Sequence, residues 1–156
     1  MRLAANMFSG LFVVLALNLG CGKPNDKSAQ EAKMLSAVMS GDVALVQHYD
    51  KQGYDLDVTF SNRFYWTPLI TSIYLQDTNM ISFLINRGVD VKKRDNNGMT
   101  ALQWAIKEND TNTGKLLLTS RKQSLIESEN WSVVRAAAAN SASPTLWRAL
   151  LEEFPH

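Results

Sequence analysis

The chain has 156 residues, 46% of them apolar, 20% charged and 9% aromatic, with 16 basic side chains against 15 acidic ones. That is the composition of one ordinary globular domain, long enough to bury roughly 70% of its unfolded surface without disulfides or metal. It excludes a disordered tail, a collagen-like rod and a polytopic membrane protein, and the cancelling charges count against nucleic acid, whose phosphates need Lys and Arg in excess on one face.

The first twenty residues stand apart from that domain. Arg2 is their only charge, and the run from Met7 to Leu17 is almost wholly apolar. It is short for a bilayer span and of the right length for the centre of a secretory signal. It ends in Leu17-Asn18-Leu19-Gly20-Cys21, which holds the single cysteine of the chain, so no internal disulfide can form. Gly20-Cys21 resembles the bacterial lipoprotein motif, although Asn18 stands where that motif usually has an aliphatic residue. The resemblance implies a signal peptide over 1–20, a lipid on the Cys21 thiol and, with Gly22 after the cysteine, the periplasmic face of the outer membrane. An ordinary cleaved signal, leaving the protein soluble in the periplasm, and an uncleaved anchor are the alternatives.

Residues 21–27 have no apolar period and read as a tether reaching roughly 15 to 20 Å from the lipid. Ser28-Ala29-Gln30-Glu31 has the spacing of a capping box, so the folded domain is expected over 28–156.

That domain repeats itself. Thr67-Pro68-Leu69 recurs as Thr100-Ala101-Leu102, Phe83-Leu84-Ile85 as Leu116-Leu117-Leu118 and Asp77 as Asp110, each 33 residues on. Gly53-Tyr54-Asp55-Leu56 precedes Gly88-Val89-Asp90-Val91 by 35, and Asp42 precedes Asp77 by the same interval. Four units result. In each, Thr67, Thr100 and Ser132 are expected to cap a short first helix, with Pro68 in the first-turn position that tolerates its missing N–H. Asp42, Asp77, Asp110 and Ser143 are expected to cap a second helix, whose apolar faces are Leu45-Val46-Tyr49, Met80-Ile81-Phe83-Leu84, Leu116-Leu117-Leu118 and Leu146-Trp147-Leu150. Gly41, Gly53 and Gly88 fall where helices must stop, and Asn97-Gly98 is a tight-turn pair.

A helix pair and turn finger every 33 residues, carrying Thr-Pro-Leu and Gly-x-Asp-Val, resembles the ankyrin repeat. The resemblance implies an all-α solenoid of about four helix-pair units with turn or β-hairpin fingers. Ile70 and Gln103 replace the His that usually braces the neighbouring loop. Ankyrin domains characteristically bind other proteins and do no chemistry of their own, and the residues are consistent with that. The histidines are His48 and His156 alone, so no metal cluster or HExxH motif exists; His48 reads as half-buried and structural. No GxSxG, P-loop or GxGxxG occurs, and neither an enzyme nor a cofactor or metal site is expected.

By the family pattern, the residues before each Thr-Pro-Leu and some on the first helix face partners. Here these are Arg63, Phe64 and Trp66, then Asn96, Asn97 and Met99, then Glu129 and Trp131, with Tyr74 and Trp104 on or near the concave helix face. Trp, Tyr and Arg are the usual anchors of interfaces; packing between fingers is the plainer reading. Two extra residues lengthen the first finger, Thr59 to Trp66, into an aromatic loop. Lys92-Lys93-Arg94 forms a basic tip: a solvated charge run, or a match for an acidic patch on a partner or for anionic headgroups. The fourth unit, with its helix-favouring run Ala136 to Ala139 and a helix over Thr145 to Phe154, reads as terminal, with Trp147 covering the end of the stack. A monomer when free, such a protein would act by steric occlusion. Resemblance to small exported ankyrin lipoproteins of Gram-negative bacteria implies an immunity protein that neutralises a phospholipase-type envelope toxin, or else a periplasmic scaffold for a resident enzyme such as a catalase.

Overall fold

The computed structural model describes residues 27–61, 65–120, 125 and 130–152. The described residues contain eight helices and no strand: α1 (Lys27–Met39), α2 (Val43–Lys51), α3 (Pro68–Leu75), α4 (Thr78–Arg87), α5 (Ala101–Lys107), α6 (Thr111–Ser120), α7 (Trp131–Ala139) and α8 (Pro144–Leu151). They pair as the 33-residue period requires. The first helices form an inner row in which α3 packs on α1 and α5, and α5 packs on α7; the second helices form an outer row of α2, α4, α6 and α8. None of these helices is long and apolar enough to cross a membrane.

Local chemistry starts each helix. The Thr67 hydroxyl accepts the Ile70 N–H at 3.2 Å, with Pro68 at the first position of α3. Thr100 and Gln103 form a reciprocal capping box at α5, so Gln103 braces the helix start in place of the missing His. Asp42, Asp77 and Asp110 accept N–H groups at the starts of α2, α4 and α6. Gly88 closes α4 at φ +86°, a left-handed turn that a Cβ would resist.

Three expected caps differ. α1 already contains Lys27 and Ser28, so Ser28 is not its cap, and the Glu31 carboxylate instead accepts a hydrogen bond from the Ser61 hydroxyl. Asn130, not Ser132, caps α7: its side-chain carbonyl accepts the Val133 N–H at 3.4 Å, and Ser132 already lies inside the helix. Ser143 stands at the N-cap of α8 but makes no capping bond; its hydroxyl accepts from Asn109. His48 is exposed rather than half-buried, hydrogen-bonded to Gln52 one turn on.

The core runs unbroken through the stack. Val38, Val46, Ile73, Met80, Leu84, Leu102, Ala105, Leu117, Val134 and Trp147 are fully buried, and burial of each large member contributes about 1.5–3 kcal/mol. Trp147 closes the far end as expected, seated against Gly114 of α6. Two fingers are each closed at the base by one backbone rung: the Phe60 N–H donates to the Trp66 carbonyl at 2.8 Å and the Asp95 N–H to that of Met99 at 3.0 Å. Neighbouring fingers are stitched by Asp57, whose carboxylate accepts the Asp90 N–H at 2.8 Å and whose carbonyl accepts the Lys93 ammonium. Burial pushes the Asp57 carboxyl above its ordinary range, against the opposing pull of the Asp90 N–H and Lys93.

Candidate protein interface

The 33-residue period decides which side chains line the concave face. Trp66 and Met99 occupy equivalent finger positions, Thr71 and Trp104 equivalent positions on α3 and α5, and Tyr74 and Lys107 the last exposed turn of each inner helix. Where unit two has the small Thr71, unit three has an indole that fills the space beneath Trp66 and Tyr74.

The result is a three-ring cluster. Trp66 lies 4.9 Å from Tyr74 and 5.0 Å from Trp104 between ring centroids, the latter edge-on at 71°, and Tyr74 meets Trp104 at 6.1 Å and 89°. Tilted and edge-to-face contacts are the favoured geometry of ring quadrupoles, worth about 0.5–1.5 kcal/mol each beyond area burial. The Lys107 ammonium sits 4.0 Å above the Trp104 ring, within cation–π range.

Trp104 anchors the cluster to the finger. Its Nε1–H donates to Asp95 Oδ2 at 3.0 Å, while Asp95 Oδ1 accepts the Asn97 and Met99 N–H groups, both at 2.8 Å. Asp95 is buried, and its carboxylate accepts from these three donors. One carboxylate therefore sets both the turn at Asn97-Gly98 and the plane of the indole.

The partner-facing residues expected from sequence separate on this surface. Tyr74 is 50% exposed and Trp66 half-buried, so both offer ring surface to a partner. Trp104 is only 4% exposed: it is the floor of the cluster, because Trp66 and Tyr74 close over it, and it is not itself a contact surface. Met99 is half-buried beside the cluster and Asn96 is exposed at the finger tip. Trp131 is half-buried at the first turn of α7, since the cap lies at Asn130 and moves it off the finger. Arg63, Phe64 and Glu129, like Cys21, lie outside the described residues. Tyr65, 54% exposed at φ +54°, extends the aromatic edge.

Beyond Trp104 the concave face deepens into an open groove of about 830 Å³ between α5, α7 and the Asn97-Gly98 finger. Met99, Ile106, Val133 and Ala137 give it an apolar lining, with Arg94 and Lys107 at its edges. Sequence reasoning missed Lys107 and Val133. Lys107 was available from its 33-residue offset to Tyr74; Val133 was hidden by the misplaced cap. The basic tip is partly engaged within the fold, Lys93 by Asp57 and Arg94 by the Gly98 carbonyl at 2.8 Å. Among the described residues, no three His, Cys, Asp or Glu side chains gather as a metal-holding group. The face offers ring surface, hydrogen bonds and positive charge, the equipment of recognition.

Compared with known proteins, residues 34–130 match the family model described as ankyrin repeats, in three copies. A search of curated proteins finds no match.

Proposed function

The chain belongs to the ankyrin-repeat family, whose repeats mark it as a protein–protein interaction module, and from that premise we propose that it acts by stoichiometric occlusion of one partner protein. The observation that carries this reading is the Tyr74–Trp66 ring surface, held in place from below by Trp104 and Asp95. Anchors preset in this way lose little side-chain freedom on docking, and a rigid face suffices to cover a partner's surface. No bond in the partner need be made or broken.

Export and a lipid on Cys21 are supported by the apolar run ending in Gly20-Cys21. A tethered occluding protein suits neutralisation of a toxin that attacks the envelope, and we take the partner to be a phospholipase-type antibacterial toxin, with the chain as its immunity protein.

The test uses the full chain, expressed in a Gram-negative host and used to capture proteins from its source's envelope extract, with Trp66→Ala/Tyr74→Ala as the comparison. One stoichiometric partner, lost in the variant while the thermal transition shifts by only a few degrees, is expected. Retention undiminished by the variant would overturn the ring surface as the site. A lipase-like partner whose toxicity is suppressed by co-expression is the expected identity; a resident enzyme such as a catalase, bound without inhibition, would replace immunity with scaffolding. Cys21→Ser should release the protein from membranes, and unchanged membrane retention would remove the lipid anchor.

A further inference from the structure

Asn97-Gly98 is the one Asn-Gly pair of the chain, and the fold leaves it in the open at the tip of the second finger. Asn97 is exposed, and its carboxamide makes no hydrogen bond with the described residues. Its own N–H is fixed on Asp95 Oδ1 at 2.8 Å, while the Gly98 N–H closes the turn on the Asp95 carbonyl at 3.0 Å. Gly98 stands at φ +75° in open space, where a Cβ would meet nothing within 4 Å. With no side chain of its own, it leaves its amide nitrogen accessible to the carboxamide beside it. The neighbouring candidates lack this arrangement. Asn96 is also exposed, but the amide that follows it is flanked by the Asn97 side chain and held on the buried Asp95 carboxylate. Asn140 precedes Ser141, and its carboxamide is committed to the Ala136 carbonyl at 2.9 Å.

We propose that Asn97 is a self-modification site, at which the folded protein deamidates and thereby releases its ring surface. The Gly98 nitrogen attacks Asn97 Cγ. The new C–N bond closes a five-membered succinimide, the amide proton passes to solvent base, and the carboxamide nitrogen takes a proton from water and leaves as ammonia. Water then opens the ring at either carbonyl, giving an aspartyl or an isoaspartyl residue. The sum is carboxamide plus water to carboxylic acid plus ammonia, with no change of oxidation state. The Gly98 N–H must first leave the Asp95 carbonyl, so the step waits on local opening of an exposed turn. Its product undoes the restraint beneath the rings. Asp95 Oδ1 accepts the Asn97 and Met99 N–H groups together, and an isoaspartyl link inserts an extra methylene into the main chain between those two amides. Either product also adds a negative charge two residues from the buried Asp95 carboxylate, which like-charge repulsion opposes. Asp95 then cannot hold both amides and the Trp104 Nε1–H in one arrangement. Resting on the reading of the concave face as the partner surface, the modification is a timer that ends the working life of the preset rings.

The test ages the purified full chain, folded and in urea, in mildly alkaline buffer, which favours loss of the amide proton. Peptide mapping by mass spectrometry reads replacement of NH2 by OH at each asparagine, and methyl transfer by an isoaspartyl methyltransferase counts the isoaspartyl product. The folded protein should convert Asn97 at least tenfold faster than Asn96 or Asn140, more slowly than the unfolded chain, and faster as pH rises. Asn97 left intact in the folded protein while the unfolded chain converts would overturn the site. Conversion spread evenly over the three asparagines would overturn its dependence on Gly98. Modified protein, separated from fresh protein by ion exchange, should show red-shifted Trp emission and a lower thermal midpoint. Asn97→Gln keeps a carboxamide but would need a six-membered ring, and it should show neither change after the same treatment. Modified protein with the emission and midpoint of the fresh chain would overturn the timer, while the Trp66–Tyr74 surface stands or falls by its own capture test. The same drift in aged Asn97→Gln would assign it to another position and overturn the timer as well.

Discussion

Gly114 is the position where the packing makes its sharpest statement. In an exposed helix, Gly→Ala stabilises by about 0.8–1.0 kcal/mol through backbone entropy. In α6, however, a Cβ at Gly114 would lie 2.2 Å from Trp147 Cη2 and 2.3 Å from Cζ3. Ordinary contact begins at about 3.4 Å, so the ring would have to move by more than 1 Å. Trp147 is fully buried, and forcing such a ring aside in a packed core costs typically about 1–3 kcal/mol. The net expectation for Gly114→Ala is a loss of about 0–2 kcal/mol, up to a few degrees in the thermal transition for a domain of this size. Urea denaturation of the full chain, followed by circular dichroism, measures it. The same substitution in a Trp147→Leu background removes the clash and should reverse sign, stabilising relative to Trp147→Leu alone. If Gly114→Ala stabilises the unmodified protein by about 1 kcal/mol, the indole does not sit on α6 and the end of the stack is closed by something else.

Three further outcomes follow from named contacts. Asp95→Ala strips the partner from the Trp104 indole and two finger amides; at about 1–3 kcal/mol per buried unsatisfied donor, a loss of about 3 kcal/mol or more is expected in chemical denaturation, with Trp fluorescence shifting red. Asp57 holds its proton more tightly folded than unfolded, so its contribution to stability is full below the ordinary carboxylate value of 3.8 and lost as pH rises through the raised folded value. Asp57→Asn keeps an acceptor for the Asp90 N–H and removes the charge; its thermal midpoint should exceed the unmodified protein's at pH 7, with the advantage vanishing as pH falls toward 4. Arg87→Ala breaks a 2.7 Å pair with Asp50, but the Arg87 side chain is 53% exposed, and a change within about 1 kcal/mol is expected in the same assay.

What the sequence made legible was what the repeat period carries. Helix starts at Thr67, Thr100, Asp42, Asp77 and Asp110 are written locally, because a cap needs one oxygen three residues before an N–H. The all-α stack follows from apolar faces recurring in phase. The errors fall where the period breaks: Thr67 and Thr100 are 33 residues apart but Asn130 follows Thr100 by only 30, so the sequence points to Ser132 where Asn130 does the work. The exposure of a given aromatic was beyond reach for a different reason. Trp66 and Trp104 look alike in sequence, yet one is a surface and the other a floor, because Tyr74 and Trp66 close over Trp104 from another unit. Burial of that kind depends on which side chain occupies the equivalent position next door, here Thr71, and no window along the chain contains both.

That same dependence links the fold to its proposed action. A ring surface that changed shape on docking would spend binding energy on ordering. Here the order of restraint runs inward: Trp66 and Tyr74 rest on Trp104, Trp104 is tied to Asp95, and Asp95 is tied to the backbone of a finger whose neighbour is stitched on through Asp57 and Asp90. Each link is made within the free chain, so each is available before a partner arrives. Weakening the deepest link should therefore loosen the outermost surface: Asp95→Asn, which offers an N–H where Trp104 needs an acceptor, should lower affinity for the partner by more than its effect on the folded fraction explains. Affinity per folded molecule unchanged in that variant would mean that the rings find their places only on contact, and that preset geometry is not what the concave face supplies.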